Sequence, residues 1–282
     1  MNTYILTWVP PLRQVLICSA RSDLVVRAAK YVAVMNPNMT YHLVSVVPTH
    51  KSRLPITPLL RNTFLRMAQE AVHEVELALM EHRVLAVRKA ILYGRPEEEL
   101  LKYAVTYSID LIAITSSVTE SPPRNIVGTV TKAVIMRAPT PIFVYTSTSP
   151  PPPKGVRNVA ILVEGRGEIS SDKVREVLEW LTTPSLRVRL LCYHSGKYCS
   201  EVLEAARIPG KVEEVLVDHV PSGKEYERLD WVVRSVEGEH LLVIGKGGGQ
   251  HVAKGFTLLG GRRLPMRENV LAGLSPAPVL MV

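Results

Sequence analysis

Glutamine is nearly absent from this chain: Gln14, Gln69 and Gln250 are its three instances in 282 residues. Arginine, valine and leucine are abundant instead, a balance that resembles heat-adapted proteomes. Cysteine is equally scarce, with only Cys18, Cys192 and Cys199. Three cysteines do not read as a disulfide framework. Cys192 and Cys199 are too far apart for a Cys-x-x-Cys motif, and with His194 they offer too few ligands for zinc. Cys18 lies in an apolar run and is expected to be buried. Aromatic residues make up 6%. The apolar fraction of 46% therefore rests on Val, Leu, Ile and Ala, which suits strands buried on both faces. No apolar run reaches about 18 residues, so no membrane span is expected. The N-terminal YILTWV is short and precedes its nearest basic residue, unlike a leader. A cytoplasmic location follows by elimination.

Other chemistries are excluded by missing patterns. The eight histidines form neither His-x-His nor HExxH, and no serine sits in a GxSxG elbow. The net charge is +8, and it is uneven. Residues 1–149 hold 16 Lys and Arg against 10 Asp and Glu, and the remainder holds 18 against 16. This excess could attract phosphate groups. No basic tract is interleaved with aromatics, which argues against nucleic acid as a partner.

The strongest punctuation is the proline run within SPPPPKG at 149–155. Consecutive prolines cannot continue a helix or a central strand and form a stiff spacer. The reading is a first domain over 1–148, a linker over 149–156 and a second domain over 157–282. In the first, strands are expected at Gln14–Cys18, Tyr41–Val47, Val87–Leu92, Asp110–Ile114 and Pro141–Tyr145. Helices are expected at Asp23–Met35 (capped by Ser22), Leu59–His82, Pro96–Tyr107 and Ile126–Arg137. Glu97, Glu98 and Glu99 suit the first turn of a helix. In the second, strands are expected at Asn158–Val163, Leu186–Cys192, Val212–Val217, His240–Ile244 and Pro278–Val282. Its helices are expected at Ser171–Leu181, Glu201–Ala206, Lys224–Val236 and Arg267–Gly273, with Trp180 on a core face. This alternation specifies α/β architecture: two tandem five-stranded parallel sheets with helices on both faces.

The two halves can be laid on each other. RQVLICSAR at 13–21 matches RNVAILVEGR at 157–166, and RAPTPIFVY at 137–145 matches LSPAPVLMV at 274–282. These matches argue for an internal duplication. With VLICSARSD, ILYGRPEEEL, DLIAITSS and VGTVTKAVIMRAPTPIFVY, each half resembles a universal stress protein (UspA-type) domain, over 12–146 and 157–282. The resemblance implies a Rossmann-like fold that binds ATP in some members and not in others. Binders use an acidic residue after the first strand and a loop G-x2-G-x9-G-(S/T) after the fourth. Members dimerise, often through their last strands. Here 141–145 and 278–282 could pair as an internal pseudo-dimer, and a homodimer through other faces stays open.

Matched residue by residue, the first half keeps Gly128 and Thr129 at the final G-(S/T). It has Thr115 and Val118 at the earlier glycines and Ala20 at the acidic position. Pro122 and Pro123 also remove two donors from its loop. Arg21, Arg53, Arg61 and Arg124 are candidates to gather at this domain's top edge. The second half has Glu164 at the acidic position, followed by Gly165. Gly245 and Gly248 satisfy G-x2-G, Gly247 and Gly249 loosen the turn, and Lys246 is placed to meet a phosphate as a point charge. Its final G-(S/T) falls on Pro265 and Met266, with Arg262 and Arg263 nearby as substitutes. Glycines let amides converge on phosphate oxygens, and a helix N-terminus adds its dipole.

The leading reading is a non-catalytic stress-response protein of this type that binds ATP or another adenine nucleotide in its second domain. No metal ligand is expected, and no general base is visible beside the glycine loop. The alternatives are an interaction or scaffold protein for an unidentified partner, and a weak nucleotide hydrolase of the related α/β group.

Overall fold

The computed structural model describes residues 13–51, 54–55, 57–116, 127–164, 169–193, 197–246 and 271–282. Short apolar runs form the centre. QVLIC makes β1 (Gln14–Cys18), LIAITS β6 (Leu111–Ser116), IFVYT β7 (Ile142–Thr146), NVAILV β8 (Asn158–Val163) and LLVI β11 (Leu241–Ile244). They are almost wholly buried, as strands covered on both faces must be. Strand periodicity sorts them between two cores: Val15 and Ile17 enter one apolar cluster and Leu16 the other.

Among them lies β12 (Val279–Met281), and outside them lie β2 (Thr40–Pro48) and β5 (Ala86–Gly94) at one edge and β9 (Leu186–Cys192) and β10 (Val212–His219) at the other. All ten form one sheet of order β10-β9-β8-β11-β12-β7-β6-β1-β2-β5. A two-stranded ribbon, β3 (His50–Lys51) with β4 (Leu54–Pro55), stands apart. Within each half of the ten-stranded sheet every pairing is parallel, whereas the β3–β4 ribbon is antiparallel. The halves meet in one antiparallel pair, Val279↔Val144, Leu280↔Phe143 and Met281↔Ile142. The last strands thus join within the chain, as an internal pseudo-dimer requires.

The helices cover both faces. Helices α1 (Asp23–Met35), α2 (Pro58–Glu81), α5 (Ser171–Trp180) and α6 (Lys197–Ala206) supply one core; α3 (Pro96–Thr106), α4 (Thr129–Arg137) and α7 (Glu225–Ser235) supply the other. Their ends follow local chemistry. The Ser22 hydroxyl accepts from Leu24 N at 3.2 Å, and Pro58 and Pro96 occupy first turns. Glu97, Glu98 and Glu99 stand in the first turn of α3, with Arg95 bridging Glu97 and Glu98 at 3.1 and 2.8 Å. Gly94 before that turn is required twice over. Its φ is +151°, and an added Cβ would lie 2.8 Å from Glu99 Cγ.

Trp180 is buried at the seam between the halves, donating from Nε1 to Met39 Sδ at 3.1 Å. Asn36 Nδ2 donates to the Trp180 carbonyl at 2.9 Å, Thr182 N to the Met35 carbonyl at 2.9 Å, and the Tyr31 hydroxyl to the His240 carbonyl. Residues 147–157 contain neither helix nor strand. The Tyr145 hydroxyl fastens this connection by donating to the Pro150 carbonyl at 2.6 Å.

Three expectations are corrected. Cys192 and Cys199 are joined by a disulfide: the end of β9 and the first turn of α6 hold their Cα atoms 6.2 Å apart, a separation a bridge can span. Cys18 is partly rather than fully buried. Helix α6 starts at Lys197, a turn earlier than its apolar pattern suggests.

Candidate functional site

In open α/β sheets, ligands bind beyond the carboxyl ends of the strands where the strand order reverses. Each half has one such point. In the N-terminal half the chain runs from β1 outward to β2 and β5, then returns to place β6 on the other side of β1. In the C-terminal half β8 and β11 hold the same relation.

At the first point, β1 is followed by Ser19 and the exposed Ala20. Ser19 is buried, and its N–H donates to the Val44 carbonyl at 2.8 Å. Across from it, Ser116 Oγ accepts the Gly128 N–H at 3.2 Å, and Thr131 Oγ1 donates to the Thr115 carbonyl at 2.9 Å. The chain's own hydroxyl therefore occupies an amide at the N-terminus of α4. Gly128 and Thr129 are exposed there, and an added Cβ on Gly128 would meet nothing within 4 Å. Arg21 pairs with Glu70 at 3.4 Å, while Arg61 stacks on Tyr93 at 4.9 Å. Val118, Pro122, Pro123, Arg53 and Arg124 lie outside the described residues.

At the second point, Glu164 follows β8 and Gly245 follows β11, so adjacent strands deliver an acid and a glycine to one end of the sheet. Tyr193 N donates to the Val163 carbonyl at 2.9 Å, holding the end of β9 beside β8. Cys192 is the register partner of Val163, which places the disulfide one strand from Glu164. Lys246 is half-buried. Its N–H donates to the Val282 carbonyl at 2.7 Å, and its ammonium donates to the Ala138 carbonyl in the other half. Burial lowers this lysine from 10.5 to about 8. Its charge is committed to the seam between the halves. Gly165, Gly247, Gly248, Gly249, Arg262, Arg263, Pro265 and Met266 lie outside the described residues.

One residue escaped the sequence reading. Arg228 on α7 sets its guanidinium 5.7 Å from the centre of the Tyr193 ring, beside the end of β9. Its Nε is buried without a hydrogen-bond partner among the described residues. A lone arginine on a helix carries no sequence signal; the Tyr193 stack is visible only in the fold. Among the described residues, no group of three His, Cys, Asp or Glu is placed to hold a metal ion. No helix among them is long and apolar enough to cross a membrane.

Residues 14–146 match the Universal stress protein family. The chain thus contains one universal stress protein (Usp) domain and a second half of similar structure. A universal stress protein from Archaeoglobus fulgidus DSM 4304 shares the fold with a TM-score of 0.67 at 16% identity, covering 96% of both chains. A universal stress protein from Pseudomonas aeruginosa UCBPP-PA14 has a TM-score of 0.55 at 13% identity, covering 96% of this chain and 93% of its own. No match was found among curated proteins. The two long alignments extend the Usp likeness across both halves at the level of fold.

Proposed function

We propose that the protein is a tandem universal-stress-type protein that binds ATP or another adenine nucleotide without turning it over, at the reversal point of its C-terminal half. Its units are residues 1–148 and 157–282, with 149–156 as the linker. The observation that carries the proposal is the delivery of Glu164 and Gly245 to one end of the sheet by adjacent strands. Glu164 would face the ribose and base, the glycine amides of the 245–249 loop the phosphates, and Arg228 would be a further cationic contact. The N-terminal half would serve packing and pairing, because Ser116 already engages the Gly128 amide.

The test is calorimetric titration of nucleotide-stripped protein with ATP. Binding by the wild type, lost in Glu164→Ala and Gly248→Val, is the expected result. Binding that survives both substitutions would move the site to Gly128 and Thr129. No heat at about millimolar ATP would refute nucleotide binding at physiological levels and leave an interaction module.

A further inference from the structure

Helix α2 has features that packing among the described residues does not explain. Its buried residues begin at Ala68, so its first ten positions, 58–67, contribute none to the core. At 1.5 Å per residue this is about 15 Å of helix. Thr63, Phe64 and Leu65 there are partly buried, but Leu59, Leu60 and Met67 are exposed. Leu59 is 77% exposed, and further along Leu77 is 49% and Met80 62% exposed. Helix α1, by comparison, exposes no large apolar side chain.

The charges of α2 run against its own dipole. Arg61 and Arg66 occupy the N-terminal half, and Glu70, Glu74, Glu76 and Glu81 the C-terminal half. Helix stability favours the reverse order. An antiparallel helix laid alongside would meet basic residues with acidic ones and oppose the two dipoles.

The outward stripe is also self-complementary. Leu59, Thr63, Arg66, Glu70, His73 and Leu77 follow one another at alternating spacings of four and three, which keeps them on one side of a helix. The buried Ala68, Ala71, Val72, Val75 and Leu79 occupy the opposite side. A two-fold axis level with Ala68 sets Leu59 opposite Leu77 of a second copy, Thr63 opposite His73, and Arg66 opposite Glu70. Each contact occurs twice, as an isologous interface demands. Arg66 is exposed and Glu70 partly exposed; they lie 3.9 Å apart within the chain, where Glu70 also meets Arg21 at 3.4 Å, so both charges sit at the surface that a second copy would meet. Beside the stripe, an open groove of about 410 Å³ lies between α2 and β5, lined in part by Val72, His73, Lys89 and Ile91.

We propose that α2 is a homodimerisation helix, pairing antiparallel with the α2 of a second copy in this register. The contact lies at the outer end of the sheet and is independent of any nucleotide site.

Sedimentation velocity of the full-length protein from about 1 µM to about 1 mM tests it. A reversible dimer is expected, and Leu59→Asp with Leu77→Asp should raise its dissociation constant at least about 100-fold. Arg66→Glu and Glu70→Arg should each weaken self-association through like-charge contacts. Mixed in equal amounts, these two single variants should associate more tightly than either alone, because 66 and 70 again oppose unlike charges across the axis. Leu59, Leu77 and Arg66 are exposed and Glu70 is partly exposed, and a circular dichroism melt checks that each variant folds. A wild type that stays monomeric throughout would overturn the proposal. So would a dimer indifferent to Leu59 and Leu77, or a mixture no tighter than its components.

Discussion

Lys246 offers a direct check on the seam between the halves. Its ammonium is half-buried against the Ala138 carbonyl, and burial lowers it from 10.5 to about 8. The sign follows from proton counting. Between pH 8 and 10.5 the unfolded chain holds a proton at this site that the folded chain has largely released, so stability rises with pH across that window. At about 1.4 kcal/mol per pH unit, the full window corresponds to about 3.4 kcal/mol. Partial exposure screens the effect, and about 1 to 2 kcal/mol is the reasonable expectation. Urea denaturation of wild type and Lys246→Met at pH 7, 8, 9 and 9.5 provides the assay. Tyrosines and other groups titrating in the same range act on both proteins alike, so the difference between the curves isolates Lys246. The wild type should gain about 1 kcal/mol relative to the variant by pH 9.5. Parallel curves would refute the buried placement and return Lys246 to solvent beside the glycine loop.

Three further outcomes follow from geometry. His42 is enclosed between Gln14 Oε1 at 2.9 Å and Tyr103 OH at 3.0 Å. Burial, with Arg88 secondarily, holds its imidazole below the ordinary 6.5, so the stability it supplies is complete above that pH and is lost as acid is added. His82 and His240 are lowered chiefly by burial too, so His42→Gln should flatten only part of the acid slope measured by urea titration. Gly94→Ala should destabilise by about 1 to 3 kcal/mol, through its positive φ and the contact with Glu99; an unchanged urea midpoint would contradict this. Thiol titration of protein denatured without reductant should count one group, Cys18, rising to three after reduction.

Much of this fold was legible because it is written locally. Apolar runs such as NVAILV and LRVRLLC coincide with β8 and β9, and the Ser22 and Pro96 signals open α1 and α3 where they stand. The pairing of the last strands was also expected, from the resemblance to universal stress proteins, whose members often dimerise through them. What escaped depends on contacts between distant segments. Lys246, set among glycines, reads as a phosphate ligand; the seam sends its side chain to Ala138 instead, 108 positions away. The Cys192–Cys199 bridge depends on how closely the start of α6 lies to the end of β9. Arg228 has no motif, and only the stack on Tyr193 singles it out. At the candidate site itself, the positions of Glu164 and Gly245 followed from strand ends, whereas the engagement of Gly128 by Ser116 required knowing how closely α4 approaches β6.

The single antiparallel pair at the middle of the sheet has a consequence for any ligand. All strands of one half point one way and all strands of the other half point back, so the two reversal points open at opposite rims of the same plate. Occupants of the two mouths would face away from each other and could not touch. Influence of one on the other would have to travel mechanically through the seam: the strand pair of Ile142–Thr146 with Val279–Met281 and the flanking contacts of Tyr31, Asn36, Trp180 and Lys246.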